Sequence, residues 1–333
     1  MSGAAGHPRI TERIERLRTL DGALRSPVPP PPRSAKLELT SRCNYACRFC
    51  ASHLRSGRQH DMPWPLYTRL ARELREAGVD QLGLFYIGES LLYPRLEDAV
   101  RFAKRECGYP YVFLTTNGSL ATGERVRGLM RAGLDSLKFA LNFADGAQLA
   151  QGAGMTAVTF ESVKRNVIDA CDARDAMQAD TGRRCLVSAS SLRYDDRQPQ
   201  RMAEALEELM PRLDQHYWLP MYGRESTWTA CTPGSVVSAP DAMSRKDLPC
   251  WPLFTEAHVT AGGMLSACGL DHSPRFHAAD LNACSFLEAW RAPAFASLRE
   301  AHLAGDVGGT ACAQCVGYAQ AGPELSSTDR SST

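Results

Sequence analysis

From residue 35 onward, short apolar runs alternate with amphipathic stretches punctuated by Gly, Asp or Pro, the pattern of β/α units around a parallel sheet. Strands are expected at 36–39, 82–87, 111–115, 136–141, 185–190 and 217–221, and helices at 66–77, 96–106, 122–131, 160–176 and 199–209. Six strands with five intervening helices suit an α/β fold of the open, partial (β/α)6 barrel kind over residues 35–230. An eight-unit barrel lacks the residues before the pattern changes. Ahead of it, Ile10, Ile14, Leu17, Leu20 and Leu24 recur at helical spacing, and the proline-rich stretch 26–33 cannot continue a helix. Residues 1–34 are therefore expected to lay one amphipathic helix on the outside of the main domain, with a loosely attached tail as the alternative.

After the sixth strand the alternation stops. Residues 231–318 form a cysteine-rich segment with a β-hairpin expected around Gly262-Gly263 and helices at 285–290 and 295–303. Residues 319–333 are polar and are expected to be a disordered tail.

Composition narrows the class. The first residues hold no apolar core of signal-peptide length and no run approaches a membrane span, so a cytoplasmic chain with reduced thiols is expected, without a membrane partner. Lys and Arg number 38 against 37 Asp and Glu, which gives no electrostatic reason to expect nucleic acid. The 12 cysteines then read as metal ligands or buried apolar groups rather than disulfides.

Cys43, Cys47 and Cys50 follow the first strand as CxxxCxxC, with Phe49 before the last. Three thiolates can hold three irons of a four-iron cluster and leave the fourth iron open. Structural zinc is the competing reading, because His53 or His60 downstream could complete a zinc shell. The motif resembles that of the radical S-adenosylmethionine (SAM) enzymes. The resemblance implies that SAM chelates the open iron and that reductive cleavage of SAM yields a 5'-deoxyadenosyl radical. It implies an external reductant such as flavodoxin or ferredoxin. It also implies that Gly88 and Glu89, in Tyr86-Ile-Gly-Glu89, match the last two residues of the Gly-Gly-Glu segment that holds the SAM amino group, with Ile87 in place of the first glycine. Thr116, in Thr-Asn-Gly, then lies beside the SAM site, and Asn142 and Ser190, at the ends of strands four and five, meet the ribose or the carboxylate. Each of these could instead be a turn former or a cap.

Cys250 and Cys268 bracket the expected hairpin, and Cys312 and Cys315 close the segment as CxxC, a complete four-thiolate shell. Spacing alone leaves zinc and an iron-sulfur cluster open. The order of elements resembles the C-terminal SPASM module of radical SAM proteins in its short twitch form, which implies a second, auxiliary 4Fe-4S cluster on these four cysteines. Twitch-bearing members that oxidise an alcohol of an aminocyclitol share this layout. The substrate implied is a small sugar, aminocyclitol or nucleoside intermediate of antibiotic biosynthesis, dehydrogenated with electron transfer to the auxiliary cluster. Decarboxylation of a sugar acid, epimerisation, and peptide modification remain alternatives, the last disfavoured by the lack of any expected peptide-recognition domain before the barrel. Arg224, after strand six, would hold the reacting hydroxyl. Cys231 and Cys284 are candidate hydrogen donors or extra ligands, and Cys107, Cys171 and Cys185 are expected to be buried apolar groups.

Overall fold

The computed structural model describes residues 8–50, 52, 58–193, 196–220, 248–269 and 274–314, and the backbone of 324–325. The first described helix, α1 (Ile10–Arg18), leads into β1 (Ser34–Leu37). Then follow α2 (Trp64–Glu76), β2 (Gln81–Gly83), α3 (Leu96–Arg101), which runs on into a π turn (Phe102–Glu106), β3 (Tyr111–Thr116), α4 (Gly123–Ala132) and β4 (Ser136–Ala140). Two helices, α5 (Gly146–Ala153) and α6 (Ala157–Thr181), precede β5 (Leu186–Arg193), and α7 (Gln198–Ala205) precedes β6 (Gln215–Pro220).

β1 to β6 lie side by side in chain order, and every neighbouring pair is parallel. The crossover helices α2, α3, α4, α6 and α7 pack on one face of the sheet. Residues of one parity, such as Ala35, Leu37, Leu82, Val112, Leu114, Leu137 and Val187, enter a single core with Leu70, Leu74, Val126 and Val167 of the helices. The sheet does not close on itself. It is the α/β partial barrel that the alternation indicated.

The C-terminal strands extend this sheet. After α8 (Pro252–Thr255), β7 (Glu256–Val259) pairs parallel with β1, and β8 (Met264–Ser266) and β9 (His277–Asp280) follow antiparallel. Gly263 takes φ +84° at the hairpin turn, a conformation open to glycine, so the hairpin forms around the glycine pair as its sequence suggested. α9 (Phe286–Trp290) opens with a complete capping box between Ser285 and Glu288, and α10 (Pro293–Leu303) follows it. Glu324–Leu325, in the expected disordered tail, instead form β10, antiparallel to β6. The rest of that tail lies outside the described residues.

The lead helix packs against the main domain at a particular place. α1 lies against the sheet face opposite the core: the Arg13 guanidinium sits 3.5 Å above the Tyr111 ring and bonds Gln81, and Thr11 bonds Gln215. Gln81, Tyr111 and Gln215 all lie at the starts of their strands, so α1 closes the amino-terminal end of the open barrel. Its apolar stripe faces the barrel mouth because the strands leave their second parity uncovered there.

Candidate active site

The loop leaving β1 is clasped at its base. Met62 N–H bonds Leu39 O at 2.8 Å, Ser41 N–H bonds His60 O at 2.9 Å, and the Arg42 guanidinium grips both carboxylate oxygens of Asp61 at 3.0 and 2.9 Å. Inside this clasp, Cys43, Cys47 and Cys50 are half-buried. Ala46 and Arg48 donate their N–H groups to Ala153 and Gly152, the last carbonyls of α5, which have no partner inside their own helix. Phe49 packs against Phe143, ring centroids 6.0 Å apart, within a small apolar cluster with Tyr45 and Leu149.

The other strand ends meet this loop. Gly88 fits because it has no side chain: a β-carbon there would stand 2.0 Å from the Thr40 carbonyl oxygen. Glu89 N–H bonds Arg42 O, and its buried carboxylate accepts from Thr116 Oγ1 at 2.8 Å, Asn117 N–H at 2.8 Å and Leu91 N–H at 3.0 Å. Burial pushes this carboxyl above the usual range, against the pull of the bonds from Asn117, Leu91 and Thr116. Glu89 and Thr116 therefore lock the ends of β2 and β3 together. The Asn117 amide then reaches Asn44 of the cysteine loop at 2.9 Å. Asn142 is half-buried just beyond β4, and Ser190 is buried in β5, on the same strand face as Lys138 and Tyr217.

Sequence reasoning passed over Glu38. Its carboxylate accepts from Ile87 and Gly88 N–H at 3.2 Å each and from Ala261 N–H at 3.0 Å, tying β1 to the glycine turn and to the hairpin turn. A carboxylate inside the strand expected at 36–39, just before the cysteine motif, was the available signal. It also passed over a buried set shared by β1 and β7: Lys36 Nζ lies 2.8 Å from Glu256, and His258 Nε2 lies 2.9 Å from the same carboxylate. Burial alone would raise the Glu256 carboxyl, but Lys36 and His258 hold it well below the usual range. These residues face a cavity of about 270 Å³ on the sheet face away from the core, floored by α1 and walled by Phe85, Phe113, Leu219 and Trp251.

The cysteine loop suits a group that supplies positive charge. Burial pushes the Cys43 thiol up to about 11, and burial with the neighbouring Cys50 and Cys43 pushes Cys47 higher still, so these thiols become thiolates only against a cation. Among the described residues no three His, Cys, Asp or Glu side chains converge as on a single metal ion. A cluster that gives each thiolate its own iron needs no such convergence.

The second cysteine set is shown in part. Cys250, Cys268 and Cys312 are half-buried; Cys250 N–H bonds His302 Nδ1 at 3.2 Å, Tyr86 OH bonds Cys268 O, and Cys312 N–H bonds Thr310 Oγ1 at 3.1 Å. Cys315, Arg224, Cys231 and His53 lie outside the described residues. Cys171 and Cys185 are buried in the core, Cys107 is half-buried, and the half-buried Cys284 thiol donates to Asp280 O at 3.3 Å.

Residues 37–177 match the family described as the Radical SAM superfamily. The chain is similar to the GTP 3',8-cyclase of Parasynechococcus marenigrum (strain WH8102), 37% identical over 151 residues that cover 41% of this chain and 42% of that protein. It is also similar to the tungsten-containing aldehyde ferredoxin oxidoreductase cofactor-modifying protein of Pyrococcus furiosus, 31% identical over 136 residues, 39% of this chain and 37% of that one. The chain thus spans about two fifths of the length of these relatives. The crystal structure of BtrN in complex with AdoMet and 2-DOIA shares the fold, with a TM-score of 0.51 at 16% identity over 82% of this chain and 87% of that one.

Proposed function

We propose, on the premise that residues 37–177 are a radical SAM domain, that this chain is a radical SAM enzyme acting on a small sugar, aminocyclitol or nucleoside intermediate of natural-product biosynthesis. The observation that carries this reading is the junction at the strand ends, where a cysteine loop clasped at its base meets a glycine turn with no space for a side chain. Cys43, Cys47 and Cys50 would hold a 4Fe-4S cluster whose open iron takes SAM, and together these supply the oxidant that removes hydrogen from carbon. Cys250, Cys268, Cys312 and Cys315 would hold an auxiliary cluster that supplies an electron acceptor. A one-electron donor such as flavodoxin or ferredoxin completes the requirement.

The chain's own residues position and shield. Glu89, Thr116 and Asn117 fix the glycine turn against the cysteine loop, and Glu38 fixes the same turn against the hairpin that leads to Cys268. The cavity lies on the sheet face away from the core, and α1 closes its floor against water. Its lining reaches Gly269, next to Cys268, so a substrate held there stands near the auxiliary set. That placement favours dehydrogenation of an alcohol, the carbon losing one hydrogen as an atom, the hydroxyl losing a proton, and one electron passing to the auxiliary site.

Anaerobic turnover with SAM and reductant tests this, counting 5'-deoxyadenosine against oxidised product. One product per deoxyadenosine is expected. Deoxyadenosine with a product that has gained no unsaturation replaces dehydrogenation by a redox-neutral reaction, decarboxylation or epimerisation.

A further inference from the structure

The cavity beneath the strand ends has an uneven charge lining. Among the described residues, Arg13, Arg18, Lys36 and Lys138 face it against one carboxylate, Glu256. Most of these charges are already engaged. Arg13 is stacked on Tyr111 and bonded to Gln81, Arg18 reaches Glu15 at 3.9 Å, and Lys36 is paired with Glu256, which also takes His258. Lys138, in the middle of β4, differs. It is half-buried, and among the described residues its ammonium has no carboxylate within ion-pair distance.

Its one polar contact among the described residues is the Tyr217 phenol, to which Nζ donates at 3.3 Å. A phenol oxygen that accepts still has its own hydrogen to give, and no described residue takes it. Tyr217 is 1% exposed and lines the same cavity. Two donors, one of them charged, therefore stand together in a cavity that the rings of Phe85, Phe113 and Trp251 also line. Partly burying an ammonium without a counter-charge is unfavourable, and an anion entering the cavity removes that cost.

We propose that the cavity binds an acidic substrate, a compact molecule carrying a carboxylate or a phosphate that Lys138 and Tyr217 hold while its ring lies among the aromatic walls. The size follows from the volume of about 270 Å³, which sits just under the range of sites for drug-sized ligands and suits one sugar-sized ring. The assignment rests on the proposed function only in calling the ligand a substrate. The acid selectivity of the cavity is a property of β4 and β6 and needs no cluster.

The test is calorimetric binding under argon to the full chain with its iron sites reconstituted and SAM present, using D-glucuronate, D-glucose 6-phosphate and D-glucose as probes. At least one acid is expected to bind about tenfold or more tighter than glucose, since a hydrogen bond to a charged partner is stronger than one between neutral groups. Whichever acid binds tells carboxylate from phosphate. Lys138→Met should erase the preference, Lys138→Arg should retain most of it, and Tyr217→Phe should weaken acid binding by a smaller factor. The proposal is overturned if the acids and glucose behave alike, absence of binding included, or if Lys138→Met keeps the preference. The response of the reduced iron site's paramagnetic spectrum to SAM is read separately; a spectrum indifferent to SAM counts against the radical function and leaves the binding result standing.

Discussion

At Gly88 the constraint is a matter of ångströms. The Thr40 carbonyl oxygen occupies the place of a β-carbon, so Gly88→Ala must push β1 and the β2 turn apart. Overpacking of this kind costs about 1–3 kcal/mol. A lower denaturation midpoint together with weaker SAM binding is expected; an unchanged midpoint and affinity would show that the contact yields freely. Glu89 carries the matching polar constraint, since its carboxylate accepts three hydrogen bonds. Glu89→Gln sets an amide N–H against the N–H of Asn117 or Leu91, or the hydroxyl of Thr116, and should destabilise by about 1–3 kcal/mol in urea unfolding. The sequence showed the Gly-Glu pair and Thr116, because their types and order survive in one dimension. It did not show that Glu89 and Thr116 bond each other across 27 residues, nor that Glu38 reaches two separate turns. Those bonds exist only once strands far apart in the chain are neighbours.

Among the elements, the strands and most helices were legible because their periodicities are intrinsic. The ends were not: β2 stops at Gly83, where the chain bends round the cysteine loop, rather than at residue 87. α5 was missed because a short run rich in Gly, Ala and Gln carries little apolar stripe. Its importance is tertiary, as its last carbonyls hold the loop of Cys47. β6 adds a pH dependence. Burial holds His216 down to about 4 from its ordinary 6.5, and burial holds the His302 imidazole on α10 equally low. A folded-state value below the unfolded one stabilises the fold above about 6.5, and that contribution is lost as pH falls towards 4. For His216 the loss is up to about 3 kcal/mol. Stability followed by circular dichroism should therefore drop between these values, and His216→Gln should flatten the drop. An unaltered acid limb would assign the loss to other groups.

At the scale of the molecule, one sheet joins the cysteine loop at β1 to the hairpin of the second cysteine set, because β7 pairs directly with β1. Alternation within each segment forecast the barrel and the hairpin but not their pairing, which is a choice among sheet edges that local pattern does not encode. The same holds for α1, whose amphipathic stripe fits an outer surface as well as the barrel mouth it closes. Arg13→Ala removes the stacking on Tyr111 and Phe113 and should destabilise by about 1–2 kcal/mol, while loosening the cavity floor enough to weaken ligand binding. Loss of stability with unaltered binding would place α1 outside the working cavity. All of this architecture converges on the loop of Cys43, Cys47 and Cys50, where burial keeps the Cys43 and Cys47 thiols protonated until a metal group arrives. The most direct test is electron paramagnetic resonance of the reduced chain carrying Cys250→Ala, Cys268→Ala and Cys312→Ala, prepared without oxygen, so that one iron site remains. The account expects about four irons per chain and a spectrum that changes when SAM is added. A spectrum indifferent to saturating SAM, or a chain holding zinc in place of iron, would contradict it.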